Sequence, residues 1–288
     1  MKIAIIGSFN FHLECIGFLL EIYNNNNTID IYLKKNIDRY NFCVYYLTMY
    51  HFNVIYDSFS EDIINNYDKI FKLTSNDYCL DHKKIISILH LNGASQKRCK
   101  SDKFISLTPY VHGDNIYYIM PIYRPILYPL KMCNTVTMIG YYTNNNFDND
   151  TIDFINTNIN YHFNFIIWGS PSYPNLNGIN NITIFSGIKT NAMHNLINDS
   201  KYILSKKYIN YDRFSGQLAL AISYEKPLII DIKTKETYKF PGITFNKNYS
   251  EVGDLDDIPE EKYNSLKNEI KSLKDSILDN NKTIFNSL

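Results

Sequence analysis

Between Asn181 and Ile232 short apolar runs alternate with helical segments, and this alternation limits the possible folds more than any other feature. Ile182–Phe185, Tyr202–Lys206 and Pro227–Asp231 read as strands, with helices at Asn191–Asn198 and Arg213–Tyr224 between them. Strands separated by helix-length segments predict a parallel sheet, because parallel neighbours need a crossover connection. Ligands of such sheets gather at the carboxyl ends of the strands, where the loops lie. Two of these loops carry Ser186-Gly187-Ile188-Lys189 and Asn210-Tyr211-Asp212-Arg213-Phe214-Ser215-Gly216-Gln217. In the second, Ser215 and Gly216 stand near a helix start, whose free N–H groups and positive dipole end suit a phosphate. Asp212 or Ser215 serves equally well there as an ordinary helix cap.

The same alternation opens the chain. Lys2–Gly7 is an apolar strand closed by a glycine, followed by an apolar helix at Phe11–Tyr23. Strands at Thr28–Lys34, Asn53–Tyr56 and Lys69–Thr74 then interleave with helices around Tyr40–Tyr50 and Glu61–Tyr67, the order of a Rossmann-like half. Further apolar runs follow at Lys84–His90, Lys103–Thr108 and Ile116–Met120. Pro121, Pro125 and Pro129 interrupt regular structure and mark a boundary. A new strand, Thr135–Gly140, again ends in glycine, and a helix at Asp150–Asn158 and a strand at Asn164–Trp168 complete the second half. The reading is therefore α/β: a Rossmann-like domain at 1–130, a second at 131–259, and a cleft between them, the usual place for a ligand. After Asp231 the alternation fades, and Lys233–Pro259 reads as a meander. Glu260–Leu278 is helical, with Tyr263, Leu266, Ile270, Leu273 and Ile277 on one face, so residues 260–288 are expected to pack back on the body.

Composition excludes several classes. Of 288 residues, 29 are Lys or Arg and 29 Asp or Glu, so the net charge of zero offers no footprint for nucleic acid. The apolar run before Glu14 is too short for a signal peptide or anchor, and no later run approaches a membrane span, which predicts a cytoplasmic protein. Five scattered cysteines indicate neither a disulfide framework nor a zinc knuckle. Abundant Asn, Ile, Tyr and Lys follow AT-rich codons and would suit a large AT-rich DNA virus, whose host cytoplasm would then be the location. Codon bias also accounts for the 25 tyrosines, expected mostly in or near the core.

The layout resembles the GT-B glycosyltransferases, which transfer a sugar from a nucleotide donor between two Rossmann-like domains. Asp212-Arg213-Phe214-Ser215-Gly216 and Leu220-Ala221 before Glu225-Lys226-Pro227 are similar to the family's donor-domain element. Ile85–Gly93 resembles its first-domain strand ending in a histidine, Ile119–Arg124 and Val136–Gly140 its crossover, and Trp168-Gly169-Ser170 its glycine turn. The resemblance implies a transferase moving sugar from a nucleotide-sugar substrate to a glycan or protein acceptor, with no other cofactor. Donor-binding residues would be Gly140, Tyr141, Gly169, Ser170, Gly187, Ile188, Lys189, Lys206, Asp212, Arg213, Ser215, Gly216 and Gln217. Lys207 is a further candidate cation for the diphosphate. His12, which resembles in position the base histidine of inverting members, and His90 are the candidate catalytic bases; each reads equally as a hydrogen-bonded scaffold histidine.

No metal is expected. Asp148-Asn149-Asp150 has the Asp-x-Asp form of a metal motif, but an Asp there would simply cap the next helix. Gly7 and Gly140 close strands without a Gly-x-Gly-x-x-Gly, against a dinucleotide oxidoreductase. The chain departs from the family at three places. Leu220 stands where many retaining members have a glutamate, Glu225 where glycine is usual, and Tyr141–Asn146 lacks the usual Arg and Lys. These departures motivate an alternative: a non-catalytic relative binding a nucleotide, a glycan or a partner enzyme. A third reading is another sugar-nucleotide enzyme, such as an epimerase.

Overall fold

The computed structural model describes residues 1–7, 14–23, 25–33, 49–73, 82–89, 101, 103–109, 113–125, 134–140, 148–167, 176, 178–188, 190–207 and 216–288. They form two compact units. The first holds Met1–Arg124 together with Ile277–Leu288; the second holds Pro125–Ile209 and Ser215–Ser276.

The first unit is built on a seven-stranded parallel sheet: β1 (Lys2–Gly7), β2 (Thr28–Leu33), β3 (Asn53–Ile55), β4 (Lys69–Lys72), β5 (Ile85–Leu89), β6 (Lys103–Ser106) and β7 (Ile116–Tyr118), in the order β3-β2-β1-β4-β5-β6-β7. These strands are apolar at nearly every position because a parallel sheet is covered on both faces. One face carries Ala4, Ile6, Ile70 and Ile85 against Phe59, Ile64 and Tyr67. On the opposite face Phe71 meets Tyr23 of helix α1 (Glu14–Tyr23).

The second unit has a six-stranded parallel sheet in the order β10-β9-β8-β11-β12-β13. Its strands are β8 (Thr135–Gly140), β9 (His162–Ile167), β10 (Ile182–Ser186), β11 (Tyr202–Leu204), β12 (Leu228–Asp231) and β13 (Gly242–Phe245). Helices α2 (Asn149–Thr157), α3 (Thr190–Asp199) and α4 (Gly216–Ser223) connect them. Its core gathers Phe154, Phe163, Phe165, Tyr202, Phe245 and Tyr249.

Two expectations need correction. Lys233–Pro259 is not a meander: Ile232–Tyr238 forms helix α5, Gly242–Phe245 adds the sixth strand, and Tyr249–Val252 and Leu255–Asp257 are 3-10 turns. Helix α5 starts through a cap rather than through apolar periodicity, since the Asp231 carboxylate accepts from the Thr234 N–H at 2.9 Å. The helix expected at Glu61–Tyr67 is a short 3-10 helix, Glu61–Asn66. The helix expected around Tyr40–Tyr50 falls mostly outside the described residues.

The last helix, α6 (Glu260–Ser287), contributes to both units. Leu266 joins the core of the second. Phe285, 1% exposed, packs on Phe18, Tyr23 and Phe71 of the first, with ring centroids 6.2, 5.6 and 5.9 Å away.

Candidate functional site

In the second sheet the chain moves outward from β8 through β9 to β10, then returns beside β8 with β11 and proceeds the other way to β13. The switch point therefore lies between β8 and β11, where the crevice of an open α/β sheet receives its ligand. Gly140 ends β8. Val136 and Thr137 pair with Tyr202 and Ile203, and the same register carried three residues on sets Lys206 level with Gly140.

Lys206 lies over that glycine. A Cβ at Gly140 would overlap both Cε and Nζ of Lys206, and the Gly140 φ of +150° also favours glycine. The two residues need each other: the missing side chain leaves the room in which the half-buried lysine lies.

Helix α4 begins at the same edge. The Gln217 side-chain amide donates to the Leu204 carbonyl at the end of β11, tying the helix start to the switch point. Its Oε1 is buried with no hydrogen-bond partner among the described residues. An added Cβ at Gly216 would meet nothing within 4 Å among the described residues.

Lys207 has another task. Its side chain is 1% exposed, and its ammonium lies 2.6 Å from Asp148 and 2.5 Å from Asp150, 4.7 Å from the centre of the Tyr249 ring. Asp148 caps α2, accepting from the Thr151 N–H at 3.0 Å, while Asp150 accepts from the Tyr249 and Ser250 N–H groups. Burial pushes both carboxyls up, but the Lys207 ammonium and these donors outweigh it and hold them below the ordinary carboxylate range. The Asp-x-Asp is thus a helix cap and a clamp on a buried lysine. Among the described residues no group of three or more His, Cys, Asp or Glu is placed to hold a metal.

Of the residues expected to bind donor, the structure brings Gly140, Lys206, Gly216 and Gln217 to the switch point. Gly187 and Ile188 follow β10 at the sheet's edge, with β9 between that strand and β8. His12, His90, Tyr141, Gly169, Ser170, Lys189, Asp212, Arg213 and Ser215 lie outside the described residues. Sequence reading missed the coupling of Gly140 to Lys206; its signal was a glycine closing β8 and a lysine just beyond β11.

The departures at 220 and 225 also gain a physical account. Glu225 has φ +55°, a left-handed conformation that favours glycine, and its carboxylate pairs with Lys274 at 2.9 Å. The backbone shape that suits glycine is kept while the side chain anchors α6. Leu220 is half-buried on α4 and offers no polar group to a ribose.

No protein-family profile and no curated protein matches the sequence. Solved structures do. The UDP-GlcNAc 2-epimerase of Neisseria meningitidis bound to UDP-GlcNAc is similar with a TM-score of 0.57 at 9% identity, over 97% of this chain and 99% of that one. Arabidopsis thaliana UGT89C1 complexed with UDP-L-rhamnose gives 0.58 at 9%, over 98% of each chain. The glycotransferase of kitacinnamycin gives 0.53 at 8%, over 97% and 95%. Together with the two parallel sheets, these likenesses establish the fold of the chain as GT-B-like, two Rossmann-like domains with a C-terminal helix.

Proposed function

We propose that the protein is a glycosyltransferase that takes its donor, a nucleotide sugar, on the second unit and transfers the sugar to a glycan or protein acceptor without a metal. The observation that carries this reading is Lys206 lying over Gly140 at the switch point, at the edge where α4 begins. A diphosphate leaving group needs charge compensation as its bond to the sugar breaks. An ammonium and a helix N-terminus supply it from this chain's own atoms. Two structures of the same fold are described with UDP-GlcNAc and UDP-L-rhamnose, which favours a uridine nucleotide. The base that accepts the acceptor's proton is assigned from sequence to His12 or His90.

The test is thermal unfolding with UDP, GDP, ADP and UDP sugars, with and without EDTA, on the wild type and Lys206→Ala. A ligand at 100 times its Kd stabilises the native state by about 2.7 kcal/mol. UDP is expected to raise Tm whether or not EDTA is present, and Lys206→Ala to weaken binding about 10- to 100-fold, the loss of one charge-assisted contact. Absence of any shift at millimolar nucleotide overturns the reading. Transfer from the stabilising donor, abolished by His12→Ala or His90→Ala, separates a transferase from the non-catalytic alternative that Leu220 motivates. Donor turnover without any acceptor would point instead to an epimerase.

A further inference from the structure

The second unit carries a groove away from its switch point. It lies between the first half of α6 and the α5 helix with the turn that follows it, and its volume is about 720 Å³. Gly242, the first residue of β13, is part of its lining, so the groove stands at the amino end of the sheet's edge strand. Gly140 closes its own strand at the opposite, carboxyl edge.

The two walls differ in charge. Lys235, Glu236 and Lys239 come from the α5 side, and two ammonium groups against one carboxylate leave that wall net positive. Lys239 follows the last residue of α5 and is exposed. The α6 side presents Ser265, Asn268, Glu269 and Ser272, whose helical spacing puts them on one face. The Glu269 carboxylate is the charge of this wall, which is therefore negative; it accepts from the Ser265 hydroxyl at 3.0 Å. No ion pair joins the walls: among the described residues, none of Lys235, Glu236, Lys239 and Glu269 pairs with an opposite charge. The Lys235 ammonium lies 3.5 Å from the Gly242 carbonyl oxygen. Between the walls the floor is apolar, with Phe240 and Leu266 buried and Leu273 half-buried. Serines at 265 and 272 are too short to fill the space above it.

A positive wall and a negative wall flanking an apolar floor fit a partner that carries the same two walls. Under a two-fold axis the α5 wall of one chain faces the α6 wall of the other, and both contacts form at once. A partner of a single sign would meet one wall that attracts it and one that repels it. We propose that this groove is the contact surface of a homodimer, in which Lys235 and Lys239 of one chain face the partner's Glu269. The inference goes beyond the function proposed above and does not rest on it.

The experiment is sedimentation equilibrium of the full chain from low micromolar to submillimolar concentration, for wild type, Lys239→Glu, Glu269→Lys and an equimolar mixture of the two variants. Both positions are exposed, and a cooperative melt shows that each variant is folded. Lys239→Glu turns the α5 wall negative, and Glu269→Lys turns the α6 wall positive, so in the homodimer of either variant like charges meet at both contacts. Wild type is expected to dimerise, and each variant alone to dimerise at least about 10-fold more weakly. In the mixture each altered wall meets its opposite, and the heterodimer is expected to form within a few-fold of the wild-type affinity. The inference is overturned if wild type stays monomeric throughout the range, if either variant alone dimerises as wild type does, or if the mixture holds no more dimer than the variants do apart.

Discussion

At the scale of single residues, adjacent lysines of the second unit take different places in the fold. Lys206 and Lys207 are adjacent in sequence, yet Lys206 lies over Gly140 while Lys207 is clamped by Asp148 and Asp150. Lys207→Met would leave Asp148 and Asp150 facing each other without a cation. It is expected to destabilise the protein by about 2 kcal/mol, below the usual cost of breaking a fully buried pair because Asp148 is partly exposed; urea unfolding measures it. Since both carboxyls are held below their ordinary range, the stability they contribute is present above pH 4 or so and lost as pH falls through their lowered values. His194 adds a second acid-sensitive window. Burial pushes its imidazole down to about 4, while its Nδ1 lies 2.7 Å from the Tyr224 hydroxyl. The unfolded chain takes up that proton near pH 6.5 and the folded one does not, so stability falls from about pH 6.5 down to about 4, by at most about 1.4 kcal/mol per pH unit. His194→Gln is expected to remove this slope in urea titrations at stepped pH. A slope unchanged by the substitution would show that another group titrates there.

Among the elements, α6 carries the largest single consequence. Its 28 residues are mostly polar, and Leu266, Ile270 and Phe285 are the apolar side chains it buries most deeply. Polar ties accompany them. Lys274 reaches the Ser223 carbonyl and the Glu225 carboxylate, and the buried Asn281 amide donates to the Met120 carbonyl at 2.8 Å. In the last turn the Phe285 carbonyl accepts from Tyr23 and Lys69, so a cation lies where the helix dipole is negative. Phe285→Ala opens a cavity among Phe18, Tyr23 and Phe71. It is expected to cost about 3–5 kcal/mol. Hydrogen exchange should report the loss in β1 and β4 while the amides of β8 and β11 keep their protection; equal loss in both sheets would contradict the division of the core.

For the molecule as a whole, the units are not continuous in sequence. Residues 1–124 expressed alone lack Ile277–Leu288 and would expose the aromatic surface that Phe285 covers. They are expected to be poorly ordered by amide NMR, and joining 277–288 through a flexible linker is expected to restore dispersed spectra. The balanced charge, 29 basic against 29 acidic residues, predicts no salt-dependent binding of duplex DNA at this scale, and a band-shift titration at low salt checks it.

What the sequence determined by itself was the class of fold. Apolar strands such as Ile3–Ile6, Phe163–Ile167 and Leu228–Ile230 separated by helix-length segments have few solutions other than covered parallel sheets, because only crossovers join parallel strands. The cap at Asp148 was legible for a similar reason, since a local hydrogen bond to the third residue on is written within four positions. Short elements were not legible: α5 and β13 have too few residues to show a period, and a cap and a neighbouring strand hold them in place. The pairing of Gly140 with Lys206 spans 66 positions and arises only when β11 returns beside β8. The fates of Lys206 and Lys207 part in the same way, because which adjacent lysine meets two carboxylates depends on where α2 starts relative to β11. Local rules set which elements form; long-range register and packing decide which side chains share a site.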